Sequence, residues 1–170
     1  MSESLLIQGC GVLDPSRSGR IVEAQDILIV DSRIASIEAT GNRKAGKVIS
    51  GRDRLAIPGL INAHTHSAEN YLKGINDRQP LEMWLPFIFG TAGTYSPRDV
   101  YLCCLIGAVE MLKTGSTSVI DHCWMSPAIT PDRLDAAMEA YRDAGIRAHV
   151  APLVSDTDYV DRYGGERGHP

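Results

Sequence analysis

The sequence predicts a parallel α/β fold preceded by a small all-β segment. Two patterns carry that prediction. Apolar, β-branched runs at residues 60–66, 116–121 and 146–150 alternate with helical patterns at 97–114 and 131–144, whereas residues 1–56 hold only short strand patterns and turn residues. A strand–helix–strand–helix–strand order makes parallel strands joined by right-handed crossovers. Composition supplies the third argument. Of 170 residues, 44% are hydrophobic and 22% charged, which is too apolar for a disordered chain. The length corresponds to one domain or slightly more at about 150 residues per domain.

In the first segment, Leu5-Leu6-Ile7 opens a strand that Gly9-Cys10-Gly11 bends. Asp14-Pro15-Ser16 and Ser18-Gly19 are turn chemistry. Asp26–Val30 and Arg33–Ile37 form a hairpin around Asp31-Ser32, although Ser32 fits a turn that favours positive φ poorly. Lys47-Val48-Ile49 is a further short strand. Gly9-x-Gly11 is no dinucleotide fingerprint, because a third glycine and a following helix are missing.

From Leu55 the character changes. Residues 60–66, Leu-Ile-Asn-Ala-His-Thr-His, read as a parallel strand buried on both faces that ends in polar residues. Leu81–Leu85 forms a short helix that Pro86 limits. The clearest helix has Ser96 as N-cap, Pro97 at its first position and Asp99 completing a capping box. Val100, Cys103, Cys104, Gly107, Ala108 and Met111 recur along it at helical spacing, and Thr114-Gly115 stops it. The next helix starts at Thr130-Pro131, carries Leu134, Ala137, Met138 and Tyr141 as its apolar stripe, and ends at Gly145. Residues 155–170 are polar and glycine-rich.

Charge and composition exclude several functions. The net charge is −4 and no Lys/Arg run exists, so no nucleic-acid partner is expected. No apolar run approaches the roughly 20 residues of a membrane span. The acidic start, Met1-Ser2-Glu3-Ser4, lacks the basic region of a signal peptide, so a cytoplasmic location is expected. The four cysteines have no zinc-framework spacing and read as small, reduced, buried side chains.

His64-Thr65-His66 is the sharpest chemical feature. On a strand, residues i and i+2 point the same way, so two imidazoles can converge on one cation. The pair sits where α/β folds carry their sites, at the carboxyl end of a parallel strand.

In its setting, Pro58-Gly59-Leu60-Ile61-Asn62-Ala63-His64-Thr65-His66 closely resembles the amidohydrolase superfamily. Lys73-Gly74 and Trp84 follow at spacings that resemble its nucleobase deaminase and triazine hydrolase branch, and Gly115–Asp121 resembles the family's second barrel strand. The resemblance implies that residues 57–170 are about the first three strands of a (β/α)8 TIM-like barrel. Residues 1–56 would be an incomplete β-sandwich segment.

The resemblance also implies that His64 and His66 bind the catalytic metal, Zn²⁺ first and Fe²⁺ as the other candidate. The chemistry implied is hydrolytic deamination of a small nitrogen heterocycle. A bound metal lowers the pKa of water from about 15.7 toward 7, and a glutamate carries the proton. A cyclic amidase is the neighbouring alternative, and a non-catalytic fragment is the reading from another class.

The family's third metal-binding histidine, its His-x-x-Glu segment and its metal-side aspartate have no counterpart here. His149 falls too early and His169 lies in the tail. An acidic substrate contact that many deaminases of this branch carry near Gly93 is also missing. A barrel takes about 250 residues, so the chain is expected to be a fragment. Alone it should bind metal weakly, aggregate and lack activity, whereas the full-length parent should be active and can be a homo-oligomer.

The remaining candidates each have two readings. His122 can hydrogen-bond a substrate heteroatom or pack under a loop at the rim. Trp84 can stack on a flat substrate or be an ordinary packed tryptophan. Asp121 can orient a neighbour, but a strand-end cap is preferred. Glu69 and Asn70 can line the site's mouth, but solvated loop residues are preferred.

Overall fold

A computed structural model describes residues 3–14, 16, 18–75, 78–125 and 129–154. Pro15 and the tail with His169 lie outside these residues. The chain divides into two units, Met1–Pro58 and Gly59–Pro170.

The first unit is one five-stranded sheet. Strands β1 (Ser4–Asp14), β2 (Arg20–Val30), β3 (Arg33–Ala39) and β4 (Lys47–Ser50) lie in the order β3-β2-β1-β4. A short β5 (Leu55–Ala56), part of the apolar run that opens at Leu55, pairs parallel to β1 beyond β4. β1 and β2 are antiparallel, with register shifts around Cys10 where Gly9 has φ +75°. The buried carboxylate of Asp26 holds this bulge by accepting from the Gly9 N–H (2.9 Å) and the Gly41 N–H (3.1 Å). Asp31 (φ 50°) and Ser32 (φ 73°) both take positive φ. Ser32 therefore does occupy the tight hairpin turn, despite the cost of its Cβ there.

The second unit has a parallel sheet in the order β6-β7-β8, formed by Leu60–Thr65, Ser116–Cys123 and Arg147–Pro152. Its helices are α1 (Leu81–Ala92), α2 (Pro97–Lys113) and α3 (Pro131–Ala144), with a 3₁₀ helix over Ser67–Leu72. Central β7 buries Val119, Asp121 and Cys123 completely or nearly so. β6 differs from its expected two-sided burial: Leu60 is 51% and Ile61 70% exposed. Among the described residues, β6 has a strand neighbour on one side only.

Two helices also differ from their sequence patterns. α1 continues through Pro86 to Ala92. Proline removes one helical hydrogen bond, but the residues beyond it bury Ile88 and Ala92 and set Phe89 edge-on against Trp124, 5.0 Å between centroids. On α3 the buried stripe is Ala136, Ala137, Ala140 and Tyr141, while Met138 is 41% exposed. Tyr141 is drawn inward by a hydrogen bond to Asp121, and the small alanines follow it into the core. Gly145 ends α3 with φ +77°, in the left-handed conformation.

α2 begins with a complete capping box. Asp99 N–H donates to Ser96 Oγ (3.2 Å), and Ser96 N–H donates to Asp99 Oδ2 (2.9 Å). The bonds from Ser96 lower the Asp99 pKa, so their contribution is present above the unfolded carboxylate pKa and lost as pH falls through the folded one. Ser96→Ala is expected to cost about 1 kcal/mol, read as a lower urea midpoint at neutral pH. No helix of the described residues is long and apolar enough to cross a membrane.

Candidate metal centre

The carboxyl ends of β6 and β7 bring three imidazoles together. The His64 and His66 ring centroids are 4.9 Å apart, His64 and His122 4.7 Å, and His66 and His122 5.9 Å. His64 lies on β6, His66 leads into the 3₁₀ helix, and His122 is the penultimate residue of β7. His64 is exposed, and the other two are half-buried.

His66 is held in one tautomer. Its Nδ1 lies 2.9 Å from the His122 carbonyl oxygen. A carbonyl only accepts, so the neutral ring carries its hydrogen on Nδ1 and leaves the Nε2 lone pair free to bind a cation. A metal-binding histidine commonly has such a backbone partner. The donor chemistry of His64 and His66 thus fits a divalent metal. Among the described residues, however, no group of three or more His, Cys, Asp or Glu side chains is arranged to hold one. His122 consequently does not complete a ligand set.

Asp121 is not the strand-end cap that the sequence favoured. It is fully buried, and its carboxylate accepts from the Ser67 N–H (3.1 Å), the Ser67 hydroxyl and the Tyr141 hydroxyl (2.8 Å). Ser67 directly follows His66, so consecutive residues of β7 fix the turn that carries His66. Asp121 does so through its side chain and His122 through its carbonyl. Burial first, and the Asp121 charge next, push the Tyr141 pKa up, which keeps its phenol a donor. Burial also raises Cys123 to about 12 and Cys103 to about 11. Together with Cys10 and Cys104 they are free, buried thiols, unsuited to nucleophilic chemistry.

A cleft opens beside His66. Thr65, Glu69, Lys73, Trp84 and Ile88 line it with that histidine. Trp84 is half-buried on α1. Neither Glu69 nor Asn70 is merely a solvated loop residue. The Asn70 amide donates to the carbonyls of Ser67 (3.0 Å) and Cys103 (2.9 Å). Glu69 Oε1 accepts from the Trp124 indole at 3.3 Å. The Glu-Asn pair directly behind His-x-His-Ser-Ala was the available sequence signal for both.

A cluster of polar side chains at the carboxyl ends of parallel strands is the arrangement of an α/β enzyme. Residues 55–167 match the amidohydrolase family, and the chain belongs to that family. A 5-methylthioadenosine/S-adenosylhomocysteine deaminase of Thermococcus kodakarensis is 34% identical over 138 residues, 81% of this chain and 31% of the relative. A 5′-deoxyadenosine deaminase of Methanothermobacter thermautotrophicus is 32% identical over 167 residues, 97% of this chain and 36% of the relative.

Solved structures agree. Atrazine chlorohydrolase from Arthrobacter aurescens, complexed with zinc and atraton, superposes with a TM-score of 0.78 at 30% identity, covering 86% of this chain and 35% of the other. An adenosine deaminase from Xanthomonas campestris with bound zinc gives 0.72 at 27%, covering 85% and 32%. The chain thus spans about a third of the length of these relatives and resembles their N-terminal part.

Proposed function

We propose that this chain supplies the opening strands and first metal ligands of a zinc-dependent hydrolase that deaminates a small nitrogen heterocycle. The convergence of His64 and His66, with the His66 tautomer fixed by the His122 carbonyl, is the observation that carries this reading. The parallel sheet β6-β7-β8 is taken as the start of a (β/α)8 barrel, and the first unit as part of a β-sandwich. The intact enzyme adds the later strands and remaining ligands.

In this reading His64 and His66 hold the metal, which when bound supplies Lewis-acid polarisation and water activation at neutral pH. Each residue of the chain has a definite task. The His122 carbonyl keeps the His66 hydrogen on Nδ1. Asp121 holds the Ser67 turn. The His122 ring, beside His64, offers a hydrogen bond to a substrate heteroatom, and Trp84 presents a flat apolar wall to a ring. The zinc-bound relatives support zinc over iron.

The test is metal analysis and ammonia release by the intact enzyme carrying these residues, with adenosine-type and aminotriazine substrates. Stoichiometric zinc with ammonia release is expected, and removing the metal with a chelator should abolish turnover. Zinc-dependent ring opening of a cyclic amide without ammonia release would overturn the deaminase reading in favour of a cyclic amidase.

A further inference from the structure

Glu69 combines three properties that a surface carboxylate does not share. It lies three residues after His66 in the 3₁₀ turn, with its N–H bonded to the His66 carbonyl at 3.0 Å. Side chains at i and i+3 eclipse in such a turn, and both residues line the same cleft. Its Oε1 accepts the indole N–H of Trp124, a residue only 5% exposed whose ring packs against Phe89. The carboxylate is thereby anchored to the core. A carboxylate accepts about four hydrogen bonds, so this anchor leaves capacity facing the cleft. Lys73, the cationic residue of the same lining, is turned to an ion pair with Glu110. Leu72, Trp84 and Ile88 supply its apolar side chains.

We propose that Glu69 is a specificity-determining residue. It accepts a hydrogen bond from an N–H donor of the heterocycle other than the departing amino group, and so selects diamino-type rings over monoamino rings. The inference rests on the deaminase reading and names its substrate class. Charge-assisted hydrogen bonds are the stronger ones, so a ring that brings the matching N–H donor gains over a ring that lacks it.

The decisive variant is Glu69→Gln, which keeps an oxygen for the Trp124 indole but removes the charge. The intact enzyme is assayed for ammonia release from 2,6-diaminopurine riboside against adenosine, and from 2,4-diamino-1,3,5-triazine against 2-amino-1,3,5-triazine. The wild type is expected to favour the diamino member of a pair by about tenfold or more in kcat/KM. In Glu69→Gln that ratio should collapse toward unity, mainly through KM, with the melting temperature unchanged. A wild type without preference, or a preference that survives in Glu69→Gln, overturns the proposal and leaves the deaminase reading standing.

If no substrate releases ammonia, the deaminase reading fails, and tryptophan fluorescence decides separately. Binding of 2,6-diaminopurine that weakens about tenfold in Glu69→Gln supports Glu69 as the recognising group. Absent or equal binding overturns it.

Discussion

Replacing His66 with alanine in the intact enzyme is expected to lower kcat/KM by about three orders of magnitude, roughly 4 kcal/mol of transition-state stabilisation. The zinc recovered with the purified protein should fall in parallel. The expectation follows from the position of the ring. His66 is tied to a backbone carbonyl through Nδ1, so its loss removes a donor already oriented for the metal. His64→Ala should behave similarly, because the two rings lie 4.9 Å apart.

His149 offers the internal comparison. It lies on β8 outside the cluster, so His149→Ala should leave the zinc content of the intact enzyme unchanged. Inductively coupled plasma analysis of each variant beside its rate constant is the measurement. A His66→Ala enzyme that retains both zinc and rate would place the metal elsewhere.

The fold was largely legible because its signals are local. The Ser96-Pro97-x-Asp99 capping box, the Gly145 stop and the Asp31-Ser32 hairpin depend on backbone geometry within four residues, and each has the expected conformation. Patterns that depend on neighbours were less legible. Pro86 reads as a helix breaker until the burial of Ile88 and Ala92 is known. Met138 and Ala140 are both plausible core residues of α3, and it is the face shared with Tyr141, which bonds Asp121, that is buried. Ile61 reads as core, and among the described residues its strand pairs with β7 alone, which leaves it exposed.

The same distinction divides the site. His64 and His66 could be paired from strand alternation alone, whereas their partners are distant in sequence. Asp121 meets Ser67, 54 residues earlier, and Trp124 meets Glu69, 55 residues earlier. No spacing rule connects such pairs. Crossover topology does, because it sets the ends of β6 and β7 side by side.

The Asp121 network yields the largest expected stability effect. Its carboxylate is fully buried and receives two bonds from Ser67 and one from Tyr141. Asp121→Ala leaves those donors in the core without their acceptor. Each neutral donor left buried without an acceptor costs about 1–3 kcal/mol, because the stranded groups stay desolvated. Tyr141→Phe removes one donor and leaves the carboxylate its bonds from Ser67, so about 1–2 kcal/mol is expected. Urea unfolding of the intact, zinc-free enzyme should rank the proteins as wild type, then Tyr141→Phe, then Asp121→Ala. The two variants should separate further in zinc affinity. Asp121 accepts directly from Ser67 in the turn after His66, whereas Tyr141 donates only to Oδ2, and its loss leaves the Ser67 N–H bond to Oδ1 in place. Zinc titration should therefore show a loss of about 10–100-fold for Asp121→Ala and a much smaller one for Tyr141→Phe. Equal zinc affinities at unequal stabilities would reduce Asp121 to a packing role, and an Asp121→Ala midpoint close to that of the wild type would contradict the hydrogen-bonded core itself.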